Sequence, residues 1–232
     1  MNKCQMRVRH GFAAPGVQFP IFPVQYFCSP NSLPKKIPNG SREMLFPPPR
    51  NMKILESKNL LFRHLEPGDL DELFVLYSDP EVRRYFPEGI LTLEETKDEL
   101  DWFLNGHPEH HELGLWATIH KESGRFIGRC GLLPWIIEQR LEVEVAYMLA
   151  KEYWGQGLGT EAARAILEYG FEKLDLSSVI CLVDRENLAS RRVAKKIGME
   201  LEREGRDDKG PYLLYRCERK AYYSRPERPA VP

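Results

Sequence analysis

The sequence has no apolar run approaching the roughly 18 residues that a membrane-spanning helix needs, and a membrane partner is not expected. Its five cysteines (Cys4, Cys28, Cys130, Cys181 and Cys217) contain no C-x-x-C pair and no repeating interval. That excludes a disulfide framework and points to a reducing, cytoplasmic compartment. A basic excess is missing too: 33 Lys and Arg stand against 34 Asp and Glu. Binding a phosphate backbone needs a basic face, so nucleic acid is excluded as a partner. His107, His110 and His111 cluster around Pro108 with no third ligand at metal spacing; the stretch reads as a polar loop, and no metal is expected.

Residues 1–51 differ from the remainder. Nine of the eighteen prolines and seven basic residues, against one acid, fall in the first fifty positions, which leaves 26 basic and 33 acidic residues beyond them. So proline-rich a segment cannot sustain ladders or helices and reads as a disordered or draped extension. A transit peptide, a partner-binding arm and a gene start upstream of a true Met52 are the competing accounts. From residue 52 to 220 the pattern is ordered, with 221–232 as a tail. The acidic balance of that domain suits a cationic acceptor.

Within it, Asn59–Leu65 reads as a strand, followed by a turn at Pro67-Gly68-Asp69. Leu70, Leu73, Phe74 and Tyr77 then fall at helical spacing. Thr92 and Glu95 form a capping box for a second helix. Strands follow at Leu113–His120, Phe126–Leu133 and Leu141–Leu149. A long helix carries Ala163, Ile166, Leu167, Gly170 and Phe171 on one face. The apolar run Val179–Val183 has the character of a buried central strand. A helix capped by Asn187 stops at Gly198, and strands at Met199–Arg206 and Pro211–Arg219 close the domain. The order β-α-α-β-β-β-α-β-α-β-β predicts one α/β domain, a mixed and mostly antiparallel twisted sheet with about four helices.

The segment Trp154-Gly155-Gln156-Gly157-Leu158-Gly159-Thr160 joins a strand to an amphipathic helix. Glycines allow backbone conformations and approaches that a Cβ forbids, and the unpaired first-turn amides favour an anion. A plain strand–helix turn needs fewer glycines. A nucleotide P-loop is excluded because no G-K-[ST] ending follows. The dinucleotide pattern G-x-G-x-x-G fits in part, with Thr160 where the third glycine belongs. Its ribose acid would be Asp175, placed before the next strand, or Asp184, at the wrong spacing.

Taken together, the strand Glu144–Leu149, the loop YWGQGLGTEA, the segment NLASRRVAKKIGM and the opening FRHLEPGDLDELFVLYSDPEVRRYF resemble the GNAT superfamily of N-acetyltransferases. They are most similar to the branch of ribosomal-protein N-terminal acetyltransferases, over about Leu60 to Arg219. The family's loop pattern maps onto Trp154, Gly157 and Gly159. The resemblance implies the GNAT acyl-CoA N-acyltransferase fold and transfer of an acetyl group from acetyl-CoA to a primary amine, on a small molecule or a protein N-terminus. It implies that the pantetheine arm lies along Val145–Leu149, with Tyr147, Met148 and Leu149 beside it. The pyrophosphate would rest on Gln156, Gly157, Leu158, Gly159 and Thr160. Asn187 would contact the cofactor arm, and Arg192, with Arg191 and Lys195 near it, is a candidate for the 3′-phosphate.

Glu144 matches the family's strand glutamate, a general base for the amine, with Glu142 on the same strand face in reserve. The tyrosine that many members use as an acid is Ala194 here. Ser190 stands in for it, although N-cap and N3 positions also give Asn187 and Ser190 a capping role. A non-catalytic acyl-CoA-binding module is the second functional reading. Trp135 is read as core or as a wall of the acceptor pocket, as are Tyr85 and Phe86. A homodimer is allowed by analogy with similar proteins.

Overall fold

The computed structural model describes residues 17–18, 53–104, 110, 112–207 and 210–225. Its strands are β1 (Val17–Gln18), β2 (Lys53–Glu56), β3 (Leu60–His64), β4 (Gly114–His120), β5 (Phe126–Ile137), β6 (Arg140–Leu149), β7 (Ser178–Asp184), β8 (Glu200–Asp207) and β9 (Gly210–Glu218). The helices are α1 (Leu70–Ser78), α2 (Leu93–Leu104), α3 (Leu158–Glu172), α4 (Leu188–Lys196) and α5 (Arg219–Tyr223). One sheet runs β2-β3-β4-β5-β6-β7-β9-β8, with β1 added on β5. Every pairing is antiparallel except β6 with β7, which the α3 crossover joins in parallel.

Strand alternation divides the interior into two layers. Trp116, Val143, Val145 and Leu149 pack with α3, α4 and α5 on one face. Leu115, Ala117 and Met148 turn to the other face, under α1 and α2. Because the side-chain period is two, a one-residue slip of β6 would exchange these sets and bury the wrong face.

The local signals named above act as anticipated. Thr92 Oγ1 accepts from Glu95 N at 3.3 Å while Glu95 Oε2 accepts from Thr92 N at 2.8 Å. Asn187 Oδ1 accepts from Ser190 N at 3.0 Å. Gly198 ends α4 with φ +89°.

Three features differ from the sequence reading. First, β5 runs four residues past Leu133, through Pro134. β4 has already ended opposite Leu132, so one flank of β5 carries no ladder there and a proline is tolerated. That flank takes β1, with Val17 opposite Ile137 and Gln18 opposite Ile136. Second, β2 was not anticipated. Third, the boundary expected at 220 falls inside α5, whose Tyr222 packs on Phe171 at 5.6 Å and donates to Glu168 Oε1 at 2.6 Å. Apart from Val17–Gln18, residues 1–52 lie outside the described residues.

Candidate active site

β6 and β7 meet at one register pair, Glu144 with Ile180, and part beyond it. A continued parallel ladder would next bring the Leu182 amide to the backbone of β6. Instead that amide donates to Glu144 Oε1 at 2.9 Å. Trp135, opposite Glu142 on β5, donates its indole N–H to Glu144 Oε2 at 2.7 Å. The carboxylate is therefore a wedge holding the two strands apart. Burial pushes its pKa up to about 7; the two hydrogen bonds and the charge of Arg129 pull the other way without cancelling it. A buried carboxylate poised near neutrality can accept a proton where a solvated one is too weak a base. Glu142, the reserve candidate, is held in a bidentate pair with Arg216 at 2.8 and 3.0 Å.

Past Glu144, β6 has β5 on one side and, among the described residues, no strand on the other, as far as Leu149. This strip of backbone leads into the glycine loop. The Trp154 indole N–H donates to Leu149 O at 2.8 Å, and Gln156 Nε2 to Glu152 O at 2.8 Å, which ties the first half of the loop back to the segment before it. Gly155 (φ +73°) and Gly157 (φ +86°) adopt left-handed backbone. Gly159 does not, and a Cβ there would meet nothing closer than 4.0 Å. Neither backbone geometry nor packing within the described residues requires glycine at 159. The amides of Thr160 and Glu161 turn back to Gly157 O at 3.0 Å. Those of Leu158 and Gly159 have no partner among the described residues, and they stand at the positive end of the α3 dipole.

A family model for the GNAT acetyltransferase domain matches residues 59–200. The chain belongs to the GNAT acetyltransferase family. The Bacillus subtilis (strain 168) protein YkkB is 36% identical over 169 residues, covering 72% of this chain and 96% of that one. The spermidine N(1)-acetyltransferase of Escherichia coli (strain K12) is 29% identical, over 61% of this chain and 73% of that one. Among solved structures, an acetyltransferase from Agrobacterium tumefaciens str. C58 superposes with a TM-score of 0.60 at 25% identity, covering 78% of this chain and all of that one. The fold is thus the GNAT fold, as its resemblance implied.

Within this GNAT chain the other site residues are distributed unevenly. The side chains of Met148 and Leu149 are buried on opposite faces of the sheet, and that of Leu158 is buried with Leu149, leaving only their backbones for a ligand. Tyr147 points toward α4, its hydroxyl 3.4 Å from Ser190 O. Arg192 is exposed on α4, and Arg191 donates to Arg185 O at 3.1 Å. His107 and His111 lie outside the described residues.

A feature that the sequence reading missed lies on the face shared by Glu144. Arg129 and Arg83 are both buried, flanking Tyr77 and Phe86. Arg129 Nε donates to the Tyr77 hydroxyl at 2.9 Å, and that hydroxyl is also bonded to Glu99. Arg83 Nε donates to Gly89 O at 2.6 Å. The available signal was an arginine inside the apolar run FIGRCGLL, which can be buried only with partners.

Proposed function

We propose that this protein is an acetyl-CoA-dependent N-acetyltransferase acting on a primary amine. The observation that carries the reading is the Glu144 wedge, which sets a base of raised pKa at the head of an unpaired backbone strip ending in an anion cradle. Gly159, the open amides of Leu158 and Gly159, and the strip Val145–Leu149 fit an extended arm with a pyrophosphate at its end. Gln156, Gly157 and Thr160 would complete the cradle, with Asn187 beside the arm and Arg192 at the 3′-phosphate. When bound, acetyl-CoA supplies an acyl group activated as a thioester.

The residues of the chain do the rest. Glu144 takes the proton that the acceptor amine must lose, directly or through one water. Backbone N–H groups on the free side of β6 are fixed donors for the oxyanion that forms at the acyl carbon. Trp135 orients the carboxylate and excludes water from one of its oxygens. The acceptor class proposed is an amine carried by a cationic small molecule, as in the spermidine-acetylating relative, or by a protein N-terminus, as the resemblance to the ribosomal-protein branch implies.

Thiol release with acetyl-CoA across a panel of polyamines, amino acids and peptide N-termini tests this. Activity in the wild type that falls at least 100-fold in Glu144→Gln supports it. Tight acetyl-CoA binding without transfer to any amine would instead support the non-catalytic module, the reading that Ala194 favours.

A further inference from the structure

A departing thiolate needs a proton, and Ala194 leaves α4 without the side chain that commonly gives one. We propose that Tyr147 is the proton donor to the coenzyme A sulfur, an inference that rests on the acetyltransferase reading above.

The geometry comes from strand alternation. Glu144 and Tyr147 are three residues apart on β6, so they project to opposite faces, separated by roughly 10 Å along the strand. The wedge glutamate faces the side of α1 and α2, where Arg129 and Met148 also point. The tyrosine faces the side of α3 and α4, and its phenol reaches the first turn of α4 beside Ser190. A backbone strip with its base on one face and an O–H donor on the other suits a displacement in which the amine arrives from one side and the sulfur departs to the other.

The O–H of Tyr147 is lightly committed. Its contact with Ser190 O is 3.4 Å, long beside the usual 2.7–2.8 Å of such bonds, and an anionic sulfur would outcompete it. Burial pushes the phenol well above its ordinary pKa, which keeps it protonated but makes it a weaker acid; the proton moves because a sulfur anion formed in the same low-dielectric surroundings is raised in basicity as well. Ser190, the alternative donor, sits at the same first turn of α4, its amide donating to Asn187 Oδ1 and its carbonyl facing the Tyr147 hydroxyl, so the two candidates are separated by substituting each.

The step balances within the chain and its substrates. The amine nitrogen bonds the acyl carbon, the carbon–sulfur bond breaks with its electron pair on sulfur, and the Tyr147 O–H proton passes to that sulfur. The proton released by the amine leaves through Glu144, and the phenolate recovers a proton from solvent.

The full-length chain with Tyr147→Phe provides the first test, with kcat, acetyl-CoA affinity and the amine KM measured separately. The expected result is a fall in kcat of about 100-fold with acetyl-CoA affinity within about twofold of wild type. A second variant carries difluorotyrosine at 147, which packs like tyrosine and acidifies the phenol. It should move the alkaline limb of the kcat–pH profile downward, a change that a purely packing role would not produce. Equal kcat in wild type and Tyr147→Phe, or an unmoved alkaline limb in the fluorinated protein, overturns the assignment. So does a Ser190→Ala variant that loses transfer while Tyr147→Phe keeps it. A wild type that acetylates nothing removes both this proposal and the function it rests on, whereas transfer at wild-type rate by Tyr147→Phe removes this proposal alone.

Discussion

At the scale of single residues, the chemistry turns on how Glu144 is held. Its proton affinity is set first by burial and then reduced by two donors, Leu182 N and the Trp135 indole. Two outcomes follow for the pH profile. The rate kcat/KM should rise with pH through a midpoint of about 7, as the carboxylate loses its proton. Trp135→Phe removes a bond that favours the charged form, so the same limb should move to higher pH with the wall of the pocket otherwise retained. An acid limb unmoved in that variant would show that the indole bond does not tune the base. Stability runs the opposite way. Relative to an unfolded chain with the ordinary 4.5, the native state binds this proton more tightly. The stabilisation is complete below pH 4.5 and is lost as pH rises through about 7.

The glutamate itself was legible in the sequence through the motifs around it, which favour Glu144 over Glu142 on the same strand face. Its wedge role was not, because that depends on which backbone amide of β7 arrives opposite it after a helical crossover. Trp135 was read as core or pocket wall, but its bond to the carboxylate was not, because the strand was read as ending at Leu133, before Pro134.

At the scale of elements, the N-terminus of α3 separates two kinds of glycine. Gly157→Ala imposes left-handed backbone on a residue with a Cβ and should cost about 1 kcal/mol of stability or more. Gly159→Ala has ordinary helical geometry and open space, so it should leave the melting temperature unchanged or slightly raised. The same substitution should weaken acetyl-CoA binding by at least tenfold, measured by calorimetry. A Gly159→Ala protein with wild-type affinity would remove the cradle from this loop. The helix is further anchored by Glu161, which accepts from Ser57 Oγ at 2.6 Å, Asn59 N at 2.6 Å and Asn59 Nδ2 at 2.8 Å. These bonds outweigh its desolvation and lower its pKa. Capping and stop signals around α2 and α4 could be read directly, because they are local. The bonds from Glu161 to the β2–β3 turn span about a hundred positions and no local pattern announces them.

For the whole molecule, one sheet separates a helix layer of aliphatic and aromatic packing from a second layer that includes buried charge. Arg129 ties β5 to α1 through Tyr77 and lies 3.8 Å from Glu99 on α2. Arg129→Ala leaves the partly buried Glu99 and the buried Tyr77 without that partner and should destabilise by about 3 kcal/mol in urea unfolding. A loss under 1 kcal/mol would show that the α1–α2 layer is held by apolar contact alone. The element order could be derived from periodicity, and four of the seven neighbouring pairs along the sheet (β2–β3, β4–β5, β5–β6 and β8–β9) are simple hairpins. The charged cluster within the second layer could not, since Tyr77, Glu99 and Arg129 are far apart in sequence.

The parting of β6 from β7 has a mechanical consequence. A sheet transmits force through its ladder, and here the ladder is interrupted along a seam with one rung at Glu144–Ile180 and one side-chain rung at Glu144–Leu182. The halves on either side of that seam share fewer ladder pairs than any other neighbouring strands in the sheet. A ligand strung along Val145–Leu149 would serve as the missing strand and stiffen them into one. Amide exchange at Leu182 should then report both cofactor occupancy and the protonation of the carboxylate that holds it.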